Sequence, residues 1–383
     1  MISSSPKVCG IVCELNPLHA GHRYLIEKTK KKYDIVCGVM SASFVQRGAP
    51  AIVDPWTRAQ IAISQGMDLV IELPAAYSLQ SAEQFALGAV QTLSLIPEIC
   101  ALSFGIEKEY PLSGLYDLLK SVNHEQSQLQ IRQSMQNGLS YRSAMEQAIG
   151  IPLRPNAILA FNYIRAIEAL KLDWEILPVV RIGAQHDEAI HHPEYSSASQ
   201  LRALLKSGQD VSDQLPGLPK EILQKGSRLT ESLNGLYPYL IYADALKNLH
   251  LDRSVHYEQG MDIRFLRFLK EIGNVDQAVE LSANKRQSKS RYRRMILTSL
   301  LKVPKQLPPV DYLRPLAFNR RGRTLLRGCS CNILQKKWSK PPSESQQMLV
   351  SISKKAEQLQ ALLNPHGILT SIPKYYFPGE AEE

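Results

Sequence analysis

Short apolar runs alternate with amphipathic stretches across residues 7–205. Uninterrupted apolar runs are typical of parallel strands covered on both faces, and they occur at 8–13, 34–40, 68–73, 101–105 and 174–183. Apolar residues with helical spacing lie between these runs, at 21–32, 55–66, 78–93 and 158–170. Strand–helix repeats of this length predict right-handed crossovers and an α/β fold, a Rossmann-like doubly wound parallel sheet. In such a sheet, ligands bind beyond the carboxyl ends of the strands.

The pattern changes after about residue 206, where helical segments are joined by short polar links. The stretch 311–328 is typical of a strand, a turn and a helix start. A late helix is predicted after Pro341 and Pro342, with Ser343 or Ser345 as its cap. We therefore expect two domains, 1–205 and a mainly α-helical, basic domain at 206–383.

Composition excludes several classes of protein. The chain has 383 residues, of which 44% are hydrophobic, so wholesale disorder is excluded. No run approaches the roughly 18 apolar residues of a membrane span, and the N-terminus lacks the order of segments found in a signal peptide. We expect a cytoplasmic protein with no membrane partner. The six cysteines lie mostly in apolar runs without zinc-ligand spacing, so buried thiols are favoured over a metal site.

Positive charge is concentrated in one segment. The net charge is +9, yet residues 285–340 hold 16 basic residues and a single acid, Asp311. A basic field of this density favours nucleic acid over an anionic membrane surface, and over a solvated face balanced by acids elsewhere in the fold. The candidate contacts belong to the densest part, at Lys285, Arg286, Arg291, Arg293 and Arg294.

The first predicted strand leads directly into a turn and a helix start, in GIVCELNPLHAGH (10–22). Asn16 and Pro17 turn the chain, and Gly21 permits a ligand to approach the backbone closely. The free amides of a first helical turn attract phosphate. His19 and His22, three residues apart, can both face that anion and stabilise charge on a pyrophosphate leaving group, so we predict that they are catalytic.

This motif resembles the HxGH signature of the nucleotidylyltransferases and class I aminoacyl-tRNA synthetases. Those proteins often carry a later motif of the ISSTxIR type, which SSASQLR (196–202) resembles. The resemblance implies that Ser197, Ser199 and Arg202 face the phosphates.

A narrower resemblance covers nearly the whole chain. The segments at 10–22, 41–62, 66–74, 80–90, 104–107, 155–167, 181–188, 284–297 and 312–322 are similar, in order, to the bacterial tRNA(Met) cytidine acetate ligase family. That family forms acetyl-adenylate from acetate and ATP. It then acetylates the exocyclic amine of the wobble cytidine in the anticodon loop of elongator methionine tRNA. Binding of ATP, acetate and this tRNA is therefore implied, with Mg²⁺ carried by the ATP phosphates.

The resemblance also implies where ATP binds. Gly105 and Arg181 lie at predicted strand ends, and Asn156, for which a helix cap is the plainer interpretation, precedes a helix. The main ATP-binding stretch comprises Val12, Cys13, Glu14, Leu15, Asn16, Pro17, Leu18, His19, Ala20, Gly21, His22, Arg23, Tyr24 and Leu25. Glu14 and Asp187 are possible polar contributors, for which a structural hydrogen-bonding role is favoured over catalysis.

Three positions depart from the family pattern. Ala42 and Ser43 replace a Gly–Asn pair, and Pro55 stands where a lysine is usual. Two alternatives remain open at this point. One is a nucleotidylyltransferase acting on a small phosphorylated or acidic metabolite, and the other is a non-catalytic RNA-binding protein with a degenerate nucleotide fold.

Overall fold

The computed structural model describes residues 6–107, 110, 112–139, 141–181, 196–364 and 366. Eight strands are present in this part of the chain: β1 Val8–Cys13, β2 Ile35–Ser41, β3 Leu69–Leu73, β4 Ile99–Ile106, β5 Glu175–Val180, β6 Tyr312–Leu313, β7 Pro315–Phe318 and β8 Asn332–Ile333. The helices up to β5 are α1 Ala20–Lys30, α2 Pro55–Ser64, α3 Ala75–Ser78, α4 Ala82–Ser94, α5 Leu112–Asn123, α6 Glu125–Gln136, α7 Tyr141–Ile149 and α8 Pro155–Ala169. Those that follow are α9 Ala198–Lys206, α10 Lys220–Gln224, α11 Tyr237–Ala245, α12 Met261–Ile272, α13 Val275–Ser282, α14 Lys289–Leu300, α15 Arg320–Gly328 and α16 Glu344–Leu363.

Six strands form the main sheet, in the order β5-β4-β1-β2-β3-β7. The first five are parallel, and β1 pairs with both β2 and β4. Strands β2 and β3 are therefore added on one side of β1, and β4 and β5 are then added on its other side. This reversal places a topological switch point at the carboxyl ends of β1 and β4, where a doubly wound sheet binds its ligand.

Helices cover both faces of the sheet. Apolar residues of α4 and α8 pack on one face, together with much of the chain after residue 230. The other face packs against α1, α2 and α9. Adjacent residues of one strand alternate between the two layers, as Val36 and Cys37 do, which explains why the strands are apolar at every position.

The predicted α/β sheet is confirmed, and its five parallel strands lie at the predicted positions to within a few residues. Two details of the prediction are wrong. The stretch 78–93 is not one helix, because Ser81 caps α4 and separates it from the short α3. The sheet is also not wholly parallel, because β7 joins its edge antiparallel to β3. Helices α5, α6 and α7, inserted between β4 and α8, were not predicted.

The second half of the chain contributes to the sheet of the first half. Gly322, in α15, packs so closely on the start of β3 that an added Cβ would collide with the Asp68 carbonyl oxygen. Ser343 caps α16, as one of the two predicted alternatives. The predicted boundary at 205/206 stays a prediction, since β7 and α15 pack against the strands that precede it.

Two further findings concern general properties. Cys9, Cys13 and Cys37 are buried, as expected of thiols in apolar strands, whereas Cys100 is exposed, because it lies at a position of β4 that faces away from the core. No helix in the described ranges is long and apolar enough to cross a membrane.

Candidate active site

The chain turns sharply between β1 and α1. Leu15 adopts a left-handed backbone conformation with φ of 48°, which is uncommon for a leucine, and the Asn16–Pro17 peptide bond is cis. The side chain of Asn16 accepts a hydrogen bond from the Ile52 amide at 2.8 Å. Arg202 donates to the Asn16 carbonyl oxygen at 2.7 Å. The turn is thereby held from two directions.

The two histidines form the N-terminal cap of α1. His19 is the N-cap residue, and its Nδ1 accepts from the Gly21 amide at 3.0 Å. His22 reaches back, and its Nδ1 accepts from the His19 amide at 3.3 Å. An accepting nitrogen carries no proton, so in each neutral ring the proton lies on Nε2. The reciprocal cap therefore fixes both imidazoles in the tautomer that donates from Nε2.

Burial keeps both rings neutral. Burial first, and then Arg181 and Arg202, which repel an imidazolium, lower the pKa of His19 to about 3. The pKa of His22 also lies well below the ordinary range, first because of burial and then because of His19 and Arg181. The pair therefore supplies neutral N–H donors close to fixed positive charge, a combination that suits an anionic phosphate.

The opposite wall begins at the end of β4. Gly105 lies beside Arg181, and a Cβ at this position would meet the Arg181 side chain at 3.4 Å. Arg181 follows β5, and its amide donates to the Ile106 carbonyl oxygen at 2.9 Å. Both residues lie on the rim that also carries the histidines, as the sequence predicts.

Asn156 is not a cap. The N-cap of α8 is Arg154, and Asn156 lies within the first turn. Its side-chain amide donates to Glu107 at 2.8 Å, and its backbone amide contacts the same oxygen at 3.3 Å. Glu107, which the sequence analysis did not single out, thus joins the end of β4 to the start of α8.

The SSASQLR segment opens α9. Ser197 caps the helix in a reciprocal arrangement with Gln200, and its hydroxyl lies 3.0 Å from that of Ser199. Arg202 forms an ion pair with Glu231 at 2.7 Å. Ser199 and Arg202 thus lie at the cavity, and their contact with phosphate stays a prediction. Glu231, which lies there too, gave no signal in the sequence.

These elements line a cavity of about 400 Å³. Its lining includes His19, Gly21, His22, Gly105, Asn156, Arg181, Ser197, Ser199 and Arg202. Of the predicted ATP-binding stretch, Val12, Cys13, Glu14, Leu15, Asn16, Tyr24 and Leu25 line it as well. Pro17, Leu18, Ala20 and Arg23 do not, because they form the turn and the outer side of α1. Asp187 lies outside the described residues.

A buried arginine fixes the rim, and the sequence analysis missed it. Arg58, on α2, has only 1% of its surface exposed. In the described part of the chain, its guanidinium donates to four backbone carbonyl oxygens, those of Glu14, Ser41, Ala42 and Val53. Arg58 thereby joins the carboxyl ends of β1 and β2.

Comparisons with known proteins agree with this geometry. A model of the family described as HIGH Nucleotidyl Transferase matches residues 6–371. A protein of Clostridium kluyveri named tRNA(Met) cytidine acetate ligase is 32% identical, over 90% of this chain and 92% of its own. One of the same name from Clostridium botulinum is 34% identical, over 93% of this chain and 94% of its own. The chain belongs to the tRNA(Met) cytidine acetate ligase family.

A solved structure of a family member contains an ATP analogue. The Thermotoga maritima member, TmcAL, bound with alpha-thio ATP, has a TM-score of 0.80 and 26% identity, over 94% of this chain and 95% of that chain. Its apo form has a TM-score of 0.83 and 25% identity, over 97% and 99%. The fold of this chain is therefore that of a HIGH nucleotidyltransferase that binds an ATP analogue.

The three departures from the family pattern do not line the cavity in the described chain. Ala42 and Ser43 are buried at the end of β2, and the Ala42 carbonyl oxygen is one of the acceptors of Arg58. Pro55 is the first residue of α2, a favoured position for proline, after the capping residue Asp54. In this family member, these residues shape the backbone behind the site.

The loop 44–50, here called the VQRG loop, connects the site to the basic helix α14. The Gln46 amide donates to the Glu14 side chain at 2.7 Å, while Arg294 donates to the Gln46 carbonyl oxygen at 3.1 Å. A Cβ on Gly48, whose φ is +74°, would lie 2.8 Å from the Arg293 side chain. Arg293 itself lines the cavity. The basic segment therefore borders the nucleotide site directly.

Acids from other segments neutralise part of the basic segment. Arg286 and Arg291 pair with Glu258, and Arg293 pairs with Asp276 at 3.2 Å. Arg294 is enclosed, and burial lowers its pKa to about 10. Among the five predicted nucleic-acid contacts, Lys285 and Arg286 are exposed, whereas Arg291, Arg293 and Arg294 are partly buried. The role of all five in RNA binding stays a prediction.

Proposed function

We propose that this protein is an ATP-dependent ligase that forms acetyl-adenylate and acetylates the wobble cytidine of the elongator methionine tRNA. In the first step, a carboxylate oxygen of acetate attacks the α-phosphate of ATP and pyrophosphate leaves. In the second step, the exocyclic amine of the cytidine attacks the acetyl carbonyl and AMP leaves. Membership of the family and the ATP-analogue complex of the Thermotoga maritima relative support this proposal.

The observation that carries the proposal is the reciprocal cap of His19 and His22. Two neutral imidazoles with their Nε2 protons directed away from the helix backbone lie on the cavity wall. Charge accumulates on pyrophosphate as it departs, and preorganised donors at that place lower the barrier. Because these donors are already fixed by the helix, no reorganisation is needed when the charge develops.

Positive charge complements the donors on two sides. Arg181 lies on the β5 side and Arg202 on the α9 side, and both lower the pKa of His19. Their guanidinium groups suit phosphate oxygens, because each offers several N–H donors in one plane. We expect the adenosine near Gly105 and the triphosphate between the histidines and α9. This placement aligns acetate with the α-phosphate, and alignment alone can contribute about 7–11 kcal/mol.

The side chains that line the cavity fit a magnesium ion that is carried by the ATP phosphates rather than held by the protein. Carboxylates suit Mg²⁺, whereas imidazole N–H groups and guanidinium groups do not. Of the two carboxylates that line the cavity in the described chain, Glu231 is paired with Arg202, and one oxygen of Glu14 accepts the Gln46 amide, so neither offers both of its oxygens to a metal ion. When bound, the ion shares the negative charge of the phosphates, and its ligands are expected to be phosphate oxygens and water.

The tRNA is expected to reach the cavity along α14. An anticodon base must leave its stack before an enzyme can act on it, and proteins read RNA mainly at such single-stranded loops. Arg293 lines the cavity, and the exposed Lys285 and Arg286 lie just before the same helix. If these cations hold the phosphate backbone of the anticodon loop, the wobble cytosine can enter the cavity.

The test follows pyrophosphate release with ATP, acetate and methionine tRNA, omitting each in turn, and analyses the recovered tRNA for N4-acetylcytidine. Acetate-dependent exchange of pyrophosphate into ATP and acetate-dependent acetylation are the expected results. Release that needs neither acetate nor RNA, but does need a small phosphorylated metabolite, would instead indicate nucleotidylyl transfer. No turnover with any combination would indicate a binding protein.

A further inference from the structure

The proposed transfer step needs a group that accepts a proton. When the amine nitrogen of cytidine bonds to the acetyl carbon, the bond from that carbon to the AMP oxygen breaks, and AMP leaves with the electron pair. The nitrogen must then release one of its two protons. The inference below rests on the proposed function, because it concerns the second of its two steps.

The histidines are unsuited to this task. Nδ1 of His19 and Nδ1 of His22 already accept backbone N–H groups, and their Nε2 atoms carry protons. Burial also holds the pKa of each ring far below neutrality. They are donors to phosphate, and neither has a lone pair free to take up a proton.

Two carboxylates line the cavity in the described chain, Glu14 and Glu231. Glu231 is ion-paired with Arg202 at 2.7 Å, and a carboxylate held by a guanidinium is a weak base. Glu14 has no ion pair within 4.0 Å among the described residues. Its Oε1 accepts the Gln46 amide at 2.7 Å, and no described residue hydrogen-bonds to its Oε2.

The backbone holds Glu14 rigidly at the end of β1. Its carbonyl oxygen accepts a hydrogen bond from Arg58, and the next residue, Leu15, has the left-handed conformation that begins the turn. Glu14 thus lies between the histidine cap and the VQRG loop, the side of the cavity that contacts α14. The exposed Arg47 of that loop also lines the cavity, close enough to act on the charge of Glu14.

We propose that Glu14 binds the exocyclic amine of the acceptor cytosine and takes up its proton during acetyl transfer. A glutamate or aspartate carboxylate is a good acceptor for the hydrogen bond that this amine donates. The VQRG loop, which positions the carboxylate through the Gln46 amide, forms the wall of the subsite for the base.

The electrostatic surroundings of Glu14 agree with such a role. Burial raises its pKa, while the Gln46 amide and the arginines oppose that effect. The charged or titratable groups that face it come from five elements: Cys13 on β1, Arg47 in the VQRG loop, Arg58 on α2, Tyr163 on α8 and Arg202 on α9. A carboxylate with a raised pKa is a stronger base, and it is active only when deprotonated.

The test separates the two steps of the reaction. Chemically prepared acetyl-adenylate and methionine tRNA are mixed with excess enzyme, and N4-acetylcytidine is measured in a single turnover. Acetate-dependent pyrophosphate exchange is measured in parallel, without tRNA. The variant is Glu14→Gln, whose amide oxygen can still accept the Gln46 amide. Glu27→Gln is the matched control, since Glu27 lies on the exposed side of α1, paired with Arg23.

For Glu14→Gln, transfer is expected to fall at least about 100-fold, whereas exchange falls less than about tenfold. The wild-type transfer rate should rise with pH through the ionisation of Glu14, and this rise should be lost in the variant. Transfer at the wild-type rate, or an equal loss of both steps, would overturn the role of Glu14. Absence of acetate-dependent exchange in the wild-type protein would overturn the proposed function itself, so the two failures are distinguishable.

Discussion

His19 and His22 together cap the N-terminus of α1, and their ring centroids lie 4.0 Å apart. Nδ1 of His22 accepts the His19 amide, and Nδ1 of His19 accepts the Gly21 amide. This arrangement uses Nδ1 of both rings to build the helix start and leaves both Nε2 atoms for the ligand. The same hydrogen bonds therefore stabilise the helix and set the tautomers.

Replacing His22 by alanine should remove a phosphate donor and one half of the cap. We expect acetate-dependent pyrophosphate exchange to slow about 10²–10³-fold, the usual effect of losing one preorganised donor. Loss of the cap should cost about 1 kcal/mol of unfolding free energy. Exchange kinetics and urea denaturation measure the two effects. Exchange at the wild-type rate would show that His22 does not act in this step.

The buried histidines predict acid sensitivity of the fold. Burial lowers the pKa of His19 and of His256 to about 3. Above pH 6.5 each is neutral in both the folded and the unfolded chain, so neither contributes a pH dependence there. Below 6.5 the unfolded chain binds protons that the folded chain excludes, and each group lowers the unfolding free energy by up to about 1.4 kcal/mol per pH unit.

Urea denaturation between pH 8 and pH 5 measures this effect. His256→Gln should reduce the slope of unfolding free energy against pH below pH 6.5, because it removes a group that takes up a proton on unfolding. Glutamine can still donate to the Leu79 carbonyl oxygen that His256 contacts at 2.7 Å, so the fold should be retained. An unchanged slope would mean that His256 is protonated in the folded protein.

Arg58 should be required for stability as well as activity. Arg58→Ala would leave several buried carbonyl oxygens without a donor, and each such loss costs about 1–3 kcal/mol, so we expect a total of at least about 3 kcal/mol. Arg58→Lys should restore only part of the lost stability, because the single ammonium group of lysine cannot donate to all four carbonyl oxygens at once. Denaturation measures both variants. Arg23→Ala, on an exposed ion pair, is the control and should change stability by less than about 1 kcal/mol.

Gly48 should be sensitive to substitution by alanine. Its φ of +74° is unfavourable for alanine by about 1–2 kcal/mol, and the added Cβ would collide with Arg293. The VQRG loop and α14 must then separate. We expect acetyl transfer to tRNA to fall more than pyrophosphate exchange does. Gly138→Ala is a useful control, since Gly138 also has a positive φ but nothing within 4 Å of an added Cβ.

RNA binding should depend on the exposed cations rather than the enclosed ones. Lys285→Ala combined with Arg286→Ala should weaken tRNA binding and reduce the slope of log K against log salt by about 0.7 per lost contact with single-stranded RNA. Pyrophosphate exchange should remain near the wild-type rate. An unchanged salt dependence would exclude these two residues from the interface.

Replacing Arg294 should give a different result. Because Arg294 donates to the Gln46 carbonyl oxygen, Arg294→Ala should destabilise the VQRG loop and lower acetyl transfer even at low salt, where tRNA is saturating. The sequence places Arg291, Arg293 and Arg294 beside Lys285 and Arg286 as candidate contacts, and it gives no sign of the partners that these three residues have in the fold.

Local pattern was sufficient to predict the five parallel strands of the sheet and the histidine motif. Continuous apolar runs identify strands covered on both faces, as β1 and β2 are, and a motif at a strand end needs only neighbouring residues for its interpretation. The helices of the insertion α5–α7 were not predicted, although α5 and α6, with 12 residues each, are as long as helices that were. Family resemblance added Gly105, Asn156 and Arg181 to the candidate ATP site. These residues are far apart in the sequence, so no local pattern groups them.

Contacts between residues that are distant in the sequence were determined by the tertiary structure alone. Arg58 is an ordinary helical arginine in the sequence, and only folding brings it to the carbonyl oxygens at the ends of β1 and β2. The sequence shows the positive charge of residues 285–340, yet Glu258, in the loop before α12, and Asp276, on α13, neutralise part of it. Sequence determines which groups the chain carries and its local periodicity. The distances between those groups, which fix their pairing and their protonation, depend on how the elements pack.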